Sequence, residues 1–203
     1  MEMKNRWEDL TFNEVLQIQQ ILSADINETY KASNIIAVLA GVENDVIENL
    51  PINQFTSLAN RLEFLSTPIP KVKHQDSYTV NGNEYKLAAN ITEISTAQYI
   101  DYQTYMKEEI PDLARVTTVF FIPKGHKYND GYDVEEVYRD VSDMKYIDIE
   151  AIAFFLRKQF ALYTMITADS LKHQMKKKKM SKKEIKELKS MILHLDNMAL
   201  SLL

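Results

Sequence analysis

Four histidines, His74, His126, His173 and His194, are the side chains of this sequence best suited to metal ligation or to proton transfer near neutral pH. They are scattered and form no HExxH or comparable spacing, so each reads as a surface or loop residue and no metal site is expected. The stretch Asn129-Asp130-Gly131-Tyr132-Asp133, with Glu135 and Glu136, could hold a hard cation loosely, but it lacks the ligand order of an EF-hand loop. Glu135 and Glu136 read instead as helix-start charges that suit the positive end of the dipole. The absence of cysteine excludes disulfides and thiolate metal sites and suits a reducing compartment. GxGxxG, P-loop and GxSxG motifs are missing, and the four glycines could hardly supply the phosphate-cradling turns those sites use. Nothing in the order of residues assembles a nucleophile, a base and an oxyanion donor. Neither an enzyme nor a cofactor is expected, and no catalytic residue is assigned.

Basic residues offer a second kind of chemistry. Lys176 to Lys179, with Lys182 and Lys183, could contact phosphates. From Leu171 onward nine lysines face three acids, whereas residues 1–170 carry fifteen basic and twenty-six acidic side chains, a net −11. No arginine or aromatic ring interrupts the lysines, and the acidic body would repel a polyanion, so a solvated linker is preferred. Nucleic-acid binding through this run is kept as an alternative.

The elements that would position any site are mostly helical. The chain has 203 residues, 45% of them hydrophobic, enough for a real core, and only four glycines and five prolines. Its longest apolar runs, Ile35 to Val42 and Ala151 to Leu156, fall far short of the roughly 20 residues that cross a bilayer. The first residues lack the apolar stretch of a secretory signal, so export is not expected.

Thr11-Phe12-Asn13-Glu14 is a capping box, with Leu10 and Val15 as its hydrophobic staple and Ile18, Ile21 and Leu22 continuing one face. A second helix over about Thr29 to Ala40 places Ile35, Ile36, Val38 and Leu39 inside and ends at Gly41. A short helix with Val46, Ile47 and Leu50 follows, then a periodic segment with Phe55, Leu58, Leu62 and Leu65, closed by Pro68 and Pro70. Tyr78-Thr79-Val80 and Glu84-Tyr85-Lys86-Leu87 flank Asn81-Gly82, a strong hairpin signal. Ser95-Thr96-Ala97-Gln98 is a second capping box, with Tyr99, Tyr102, Tyr105 and Met106 on one face.

At an offset of 84 residues, Leu10, Thr11, Glu14 and Val15 fall on Ile94, Ser95, Gln98 and Tyr99; at 91, Val46, Leu50, Phe55 and Leu58 fall on Val137, Val141, Tyr146 and Ile149. An internal duplication is read from this, and Leu113 to Phe121 then corresponds to the Ile35 helix despite the strand propensity of Val116 to Phe121. The loop from Pro123 to Asp133 should be exposed. Tyr146 to Ala168, with Ile149, Ile152, Ala153, Leu156, Phe160, Tyr163 and Ile166, reads as the central helix. A third capping box at Ser181 to Glu184 opens a helix whose Ile185, Leu188, Ile192, Leu195, Ala199 and Leu202 step by three and four, a short seam that must pack on its own body or on another chain.

The succession of Trp7-Glu8-Asp9-Leu10-Thr11, Ile35-Ile36-Ala37-Val38-Leu39-Ala40-Gly41, Ile47-Glu48-Asn49-Leu50-Pro51, Phe55 to Leu65, Tyr78 to Gly82 and Ile94 to Tyr102 resembles small proteins of tailed bacteriophages. These are tail or neck proteins and tail-assembly chaperones, notably of crAss-like and other phages of Bacteroides-type hosts. The resemblance covers residues 7–166; Ile122-Pro123-Lys124-Gly125 and Tyr128 to Tyr132 add to it, and the basic C-terminal helix departs from it. It implies no catalytic residues. It implies a role in virion assembly, as a ring or cargo component kept in the particle or as a chaperone absent from the mature one.

The expected fold is mainly α: two similar helical lobes at 1–70 and 91–170, a β-hairpin connector at 71–90, and a basic linker with an amphipathic helix at 171–203. Expected partners are other phage structural proteins or further copies of the chain in a ring, without nucleic acid or membrane, in the virion or in the host cytoplasm during assembly. Tyr128, Tyr132, Ile185, Leu188, Ile192, Leu195 and Leu202 are the expected contact residues.

Overall fold

A computed structural model describes residues 1–88, 90–107, 112–177 and 182–202, with side chains described for all of these except 174, 176, 177, 182 and 194–202. The described part is mainly helical, with one small antiparallel sheet.

The capping signals act as their chemistry dictates. Helix α1 (Phe12–Ser23) starts at Thr11, whose hydroxyl accepts from the Glu14 N–H while the Glu14 carboxylate accepts from the Thr11 N–H at 2.8 Å. Leu10 and Val15, the staple, are both buried. Helix α2 (Glu28–Ala40) packs on α1 and stops at Gly41, whose φ of +63° is the left-handed conformation that glycine adopts at no steric cost. Two short helices, α3 (Asn44–Glu48) and α4 (Ile52–Asn60), complete the first group, and a 3-10 turn at Arg61–Ser66 follows. One residue expected on the apolar face of α1 differs, since Leu22 is 51% exposed; Val46 is 43% exposed, whereas Val137, which the expected duplication sets against it, is buried.

Thr11→Ala removes one acceptor of the box and leaves the Glu14 N–H unpaired within the helix. It should cost about 1 kcal/mol of unfolding free energy by urea titration, and Thr11→Ser should recover most of that.

Strands β1 (Ser77–Val80) and β2 (Asn83–Leu87) form the hairpin, with Tyr78 opposite Tyr85. Asn81 and Gly82 both have positive φ, as a two-residue type I′ turn requires. A third strand was not expected: β3 (Phe121–Pro123) pairs antiparallel with β2, Lys86 opposite Ile122, giving the order β1-β2-β3. Helix α5 (Thr96–Tyr105) begins at the second capping box, and its buried Gln98 also donates to the Val119 carbonyl at 3.2 Å. Helix α6 is only Leu113–Thr118, which corrects the expected helix to Phe121. The β-branched and aromatic end of that segment found a strand partner in β2 and left the helix.

Helix α7 (Val134–Asp143) starts at Asp133 and carries Glu135 and Glu136 in its first turn. Helix α8 (Tyr146–Lys177) is the longest element, and α9 (Lys182–Leu202) packs back along it. Ile149, Ile152, Ala153, Leu156 and Phe160 of α8 are buried, but Tyr163 and Ile166 are 45% and 62% exposed. The helix is therefore central only over its first half. One cluster of buried residues runs from Met3 to Phe160 and draws on both helical groups and the hairpin. The chain crosses over to make it continuous: the Tyr146 N–H donates to the Leu10 carbonyl and the Phe12 N–H to the Met144 carbonyl, each at 2.9 Å.

Candidate functional site

Pro68 and Pro70 prevent the 3-10 turn at Arg61–Ser66 from continuing and push the residues before them into extended backbone, as seen at Thr67. Residues 69–74 consequently form a strap. Its start is held by the Trp7 indole, which donates to the Thr67 carbonyl at 3.1 Å, and its end by the Gln75 N–H, which donates to the Tyr78 hydroxyl at 2.8 Å. Trp7 is itself fixed, with its ring 5.8 Å from Phe64 and 5.9 Å from Tyr146.

Between this strap and the first half of α8 lies a groove of about 660 Å³. Its walls are Ile69, Pro70 and Val72 on the strap and Ile147, Ala151, Phe154 and Phe155 on the helix. Ile147, Ala151 and Phe155 recur every four residues and so share one face of α8. The His74 ring lies 3.8 Å from that of Phe155 and closes one end, and its buried Nδ1 has no hydrogen-bond partner among the described residues. Phe154 is 64% exposed and adds aromatic surface to the rim of the groove.

The electrostatics of the groove oppose those of the surrounding body. Lys71, Lys73 and Lys158 stand on it against one carboxylate, Glu150, and none of the three is in an ion pair among the described residues. Glu150 accepts from the Tyr146 hydroxyl at 2.7 Å; burial, and then this bond, raise the phenol's pKa. Three ammonium groups around an apolar slot can hold a chain that brings both grease and negative charge.

A second polar cluster is structural. Asp140 on α7 is buried and accepts from Asn81 at 3.0 Å, Asn83 at 2.8 Å and the Tyr85 hydroxyl at 2.5 Å, which ties the hairpin to that helix. Burial works to raise its pKa, but the bonds from Asn83, Tyr85 and Asn81 outweigh that and hold it below its ordinary value.

The residues expected to touch partners are placed in two separate regions. Tyr128 is half-buried and donates its hydroxyl to the Asp101 carboxylate; burial first, then that carboxylate, raise its pKa. Tyr132 is also half-buried, its ring 5.9 Å from that of His126, so the loop exposes its polar residues more than its tyrosines. On α9, Ile185 and Leu188 are half-buried and Ile192 is 8% exposed, so the seam starts on the chain's own α8. The side chains of His194, Leu195, Ala199 and Leu202 lie outside the described residues, as do Ser181 of the third capping box and the side chains of Lys176 to Lys179.

Sequence reading missed the groove altogether. Its two walls lie about 80 positions apart, and the one local signal was the pair of prolines followed by Lys71-Val72-Lys73-His74. Among the described residues no group of three or more His, Asp or Glu is placed to hold a metal ion, and no helix is long and apolar enough to cross a membrane. No protein family, curated protein or solved structure compared with the chain matches it.

Proposed function

We propose that this protein is a non-enzymatic assembly protein of tailed phages that acts by gripping a segment of another phage structural protein in the groove between residues 69–74 and α8. The observation that carries the binding role is the groove itself: apolar walls, an exposed Phe154 and three lysines with no ion pair among the described residues, on a body of net charge −11. The phage context rests on the resemblance of residues 7–166. A segment that fits brings one or two large apolar side chains flanked by Asp or Glu. The apolar anchors would supply affinity by desolvation, and the acids orientation and rate. Phe154 and Val72, exposed in the free protein, gain most from being covered.

The test uses the full chain and fluorescent peptides with a central Phe-Leu pair, flanked either by acids or by lysines. The acid-flanked peptide is expected to bind and the lysine-flanked one is not. Val72→Asp should weaken binding about tenfold or more, equivalent to 1.4 kcal/mol or above, with an unchanged circular dichroism spectrum. Equal binding of both peptides, or no effect of Val72→Asp, rules the groove out. Mass spectrometry of purified particles then separates the two assembly roles: stoichiometric presence marks a structural component, absence a chaperone.

A further inference from the structure

Beyond the groove, the same face of α8 continues uncovered. Leu162, Met165 and Ile166 are 52%, 47% and 62% exposed, and at 3.6 residues per turn they fall, together with Phe154 of the groove, within an arc of about 120°. The buried residues of this half, Phe160, Ala161, Thr164 and Ala168, lie on the other side of the helix. Lys158 and Asp169 fall within the exposed arc and bracket its apolar centre.

The face can be read as a short seam with an apolar centre, Leu162 and Met165, and charged ends. Positions 155, 162 and 169 repeat every seven residues, and 158, 165 and 172 repeat between them. In an antiparallel pair the first set of one helix meets the second set of the other. Leu162 then faces the partner's Met165 and Lys158 faces the partner's Asp169, and a two-fold axis generates both pairs again. A parallel pair would instead set Lys158 against the partner's Lys158 and Asp169 against the partner's Asp169, which like-charge repulsion disfavours. Asp169 is available for this: its side chain is 75% exposed, and its ion pair with Lys172 at 3.5 Å is a weak surface contact.

We propose that a second copy of this chain docks on the outer face of α8, forming a two-fold dimer whose helices run antiparallel and cross near Tyr163 and Thr164. A free helix with so short a seam would not associate, because helix formation would consume the gain. Here α8 is already formed and held by the core over its first half and by its packing against α9. The contact is smaller than a standard permanent interface, so the dimer is weak and depends on concentration.

Sedimentation velocity of the full chain, from low micromolar to near-millimolar concentration, should show a monomer passing into a dimer. Leu162→Glu combined with Met165→Glu should hold it monomeric, with an unchanged circular dichroism spectrum because both side chains are exposed. Register is testable directly because the chain has no cysteine. Lys158→Cys mixed with Asp169→Cys should form a disulfide-linked dimer on oxidation, while each variant alone should not. In the antiparallel register a residue and its own copy stand eleven positions apart, about 16 Å along the axis, beyond disulfide reach. A monomer at every concentration overturns the proposal and leaves the face to a different protein. So does a dimer that survives the double Glu variant, or cross-linking of either cysteine variant with itself. Val72→Asp should leave the dimer intact, so the groove and this contact fail separately.

Discussion

Phe160→Ala is expected to lower the unfolding free energy by about 3–5 kcal/mol, the range for truncating a fully buried Phe. Phe160 is 2% exposed and stacks on Tyr102 with ring centroids 3.8 Å apart and planes within 5°; Phe120 meets it edge-on at 5.9 Å. Three elements therefore converge on one ring: α5 through Tyr102, the turn before β3 through Phe120, and α8 itself. Phe160 is also the last large side chain of α8 in the main buried cluster, so the truncation weakens the hold of the core on the outer half of that helix. Guanidinium titration at pH 7 measures the loss, and a thermal melt should fall by on the order of 10 °C. Phe160→Leu, which keeps apolar volume but not the stacked ring, should recover roughly half. A loss below about 1 kcal/mol for the alanine variant would mean that the site collapses freely and that Phe160 anchors nothing.

Asp140→Ala should cost about 2–4 kcal/mol at pH 7, because bonds to a charged acceptor are strong and a buried donor left behind must be paid for. Asn81 and Asn83 are exposed and turn to water, whereas the Tyr85 hydroxyl, on a residue 2% exposed, has nowhere to turn. Asp140→Asn keeps one acceptor oxygen and should lose about half as much.

The pH dependence separates this from simple cavity formation. In the folded protein the Asp140 pKa lies below its ordinary 3.8, so its contribution is complete above that value and is lost as pH falls through the lowered pKa. Tyr85 is the mirror case: burial first, then its bond to Asp140, raise its pKa above the ordinary 10.0. The neutral phenol is thus favoured by folding, and that contribution is complete below pH 10.0 and lost as pH rises. Urea titrations at pH 7 and at pH near 3 should show the gap between wild type and Asp140→Ala shrinking in acid. A gap of constant size would show that the loss comes from packing alone and not from the carboxylate.

Features settled within a few residues could be read from the order of amino acids. The boxes at Thr11 and Ser95, the Asn81-Gly82 turn and the stop at Gly41 each depend on groups no more than about four positions apart, and each forms as its chemistry requires. The predominance of helix follows likewise from few glycines and prolines and from apolar residues at helical spacing. Local order also left errors that have one origin. Val116 to Phe121 suits helix and strand nearly equally, and the choice fell to β2, some 35 positions earlier, which offered Phe121 a pairing edge. Periodicity marked Leu22, Tyr163 and Ile166 as interior, but a greasy face is buried only where another element reaches it.

What lay beyond sequence reading is everything made by distant partners. Asp140 looks like an ordinary polar residue of a helix until the hairpin brings Asn81, Asn83 and Tyr85 to it from 55 to 59 positions away. The groove needs a strap at 69–74 and a helix face at 147–158, joined only because Trp7 and Tyr78 pin the strap's two ends. Hydrogen bonds along one stretch are dictated by that stretch, whereas burial and cavity shape depend on which surfaces meet, and that is a property of the whole folded chain.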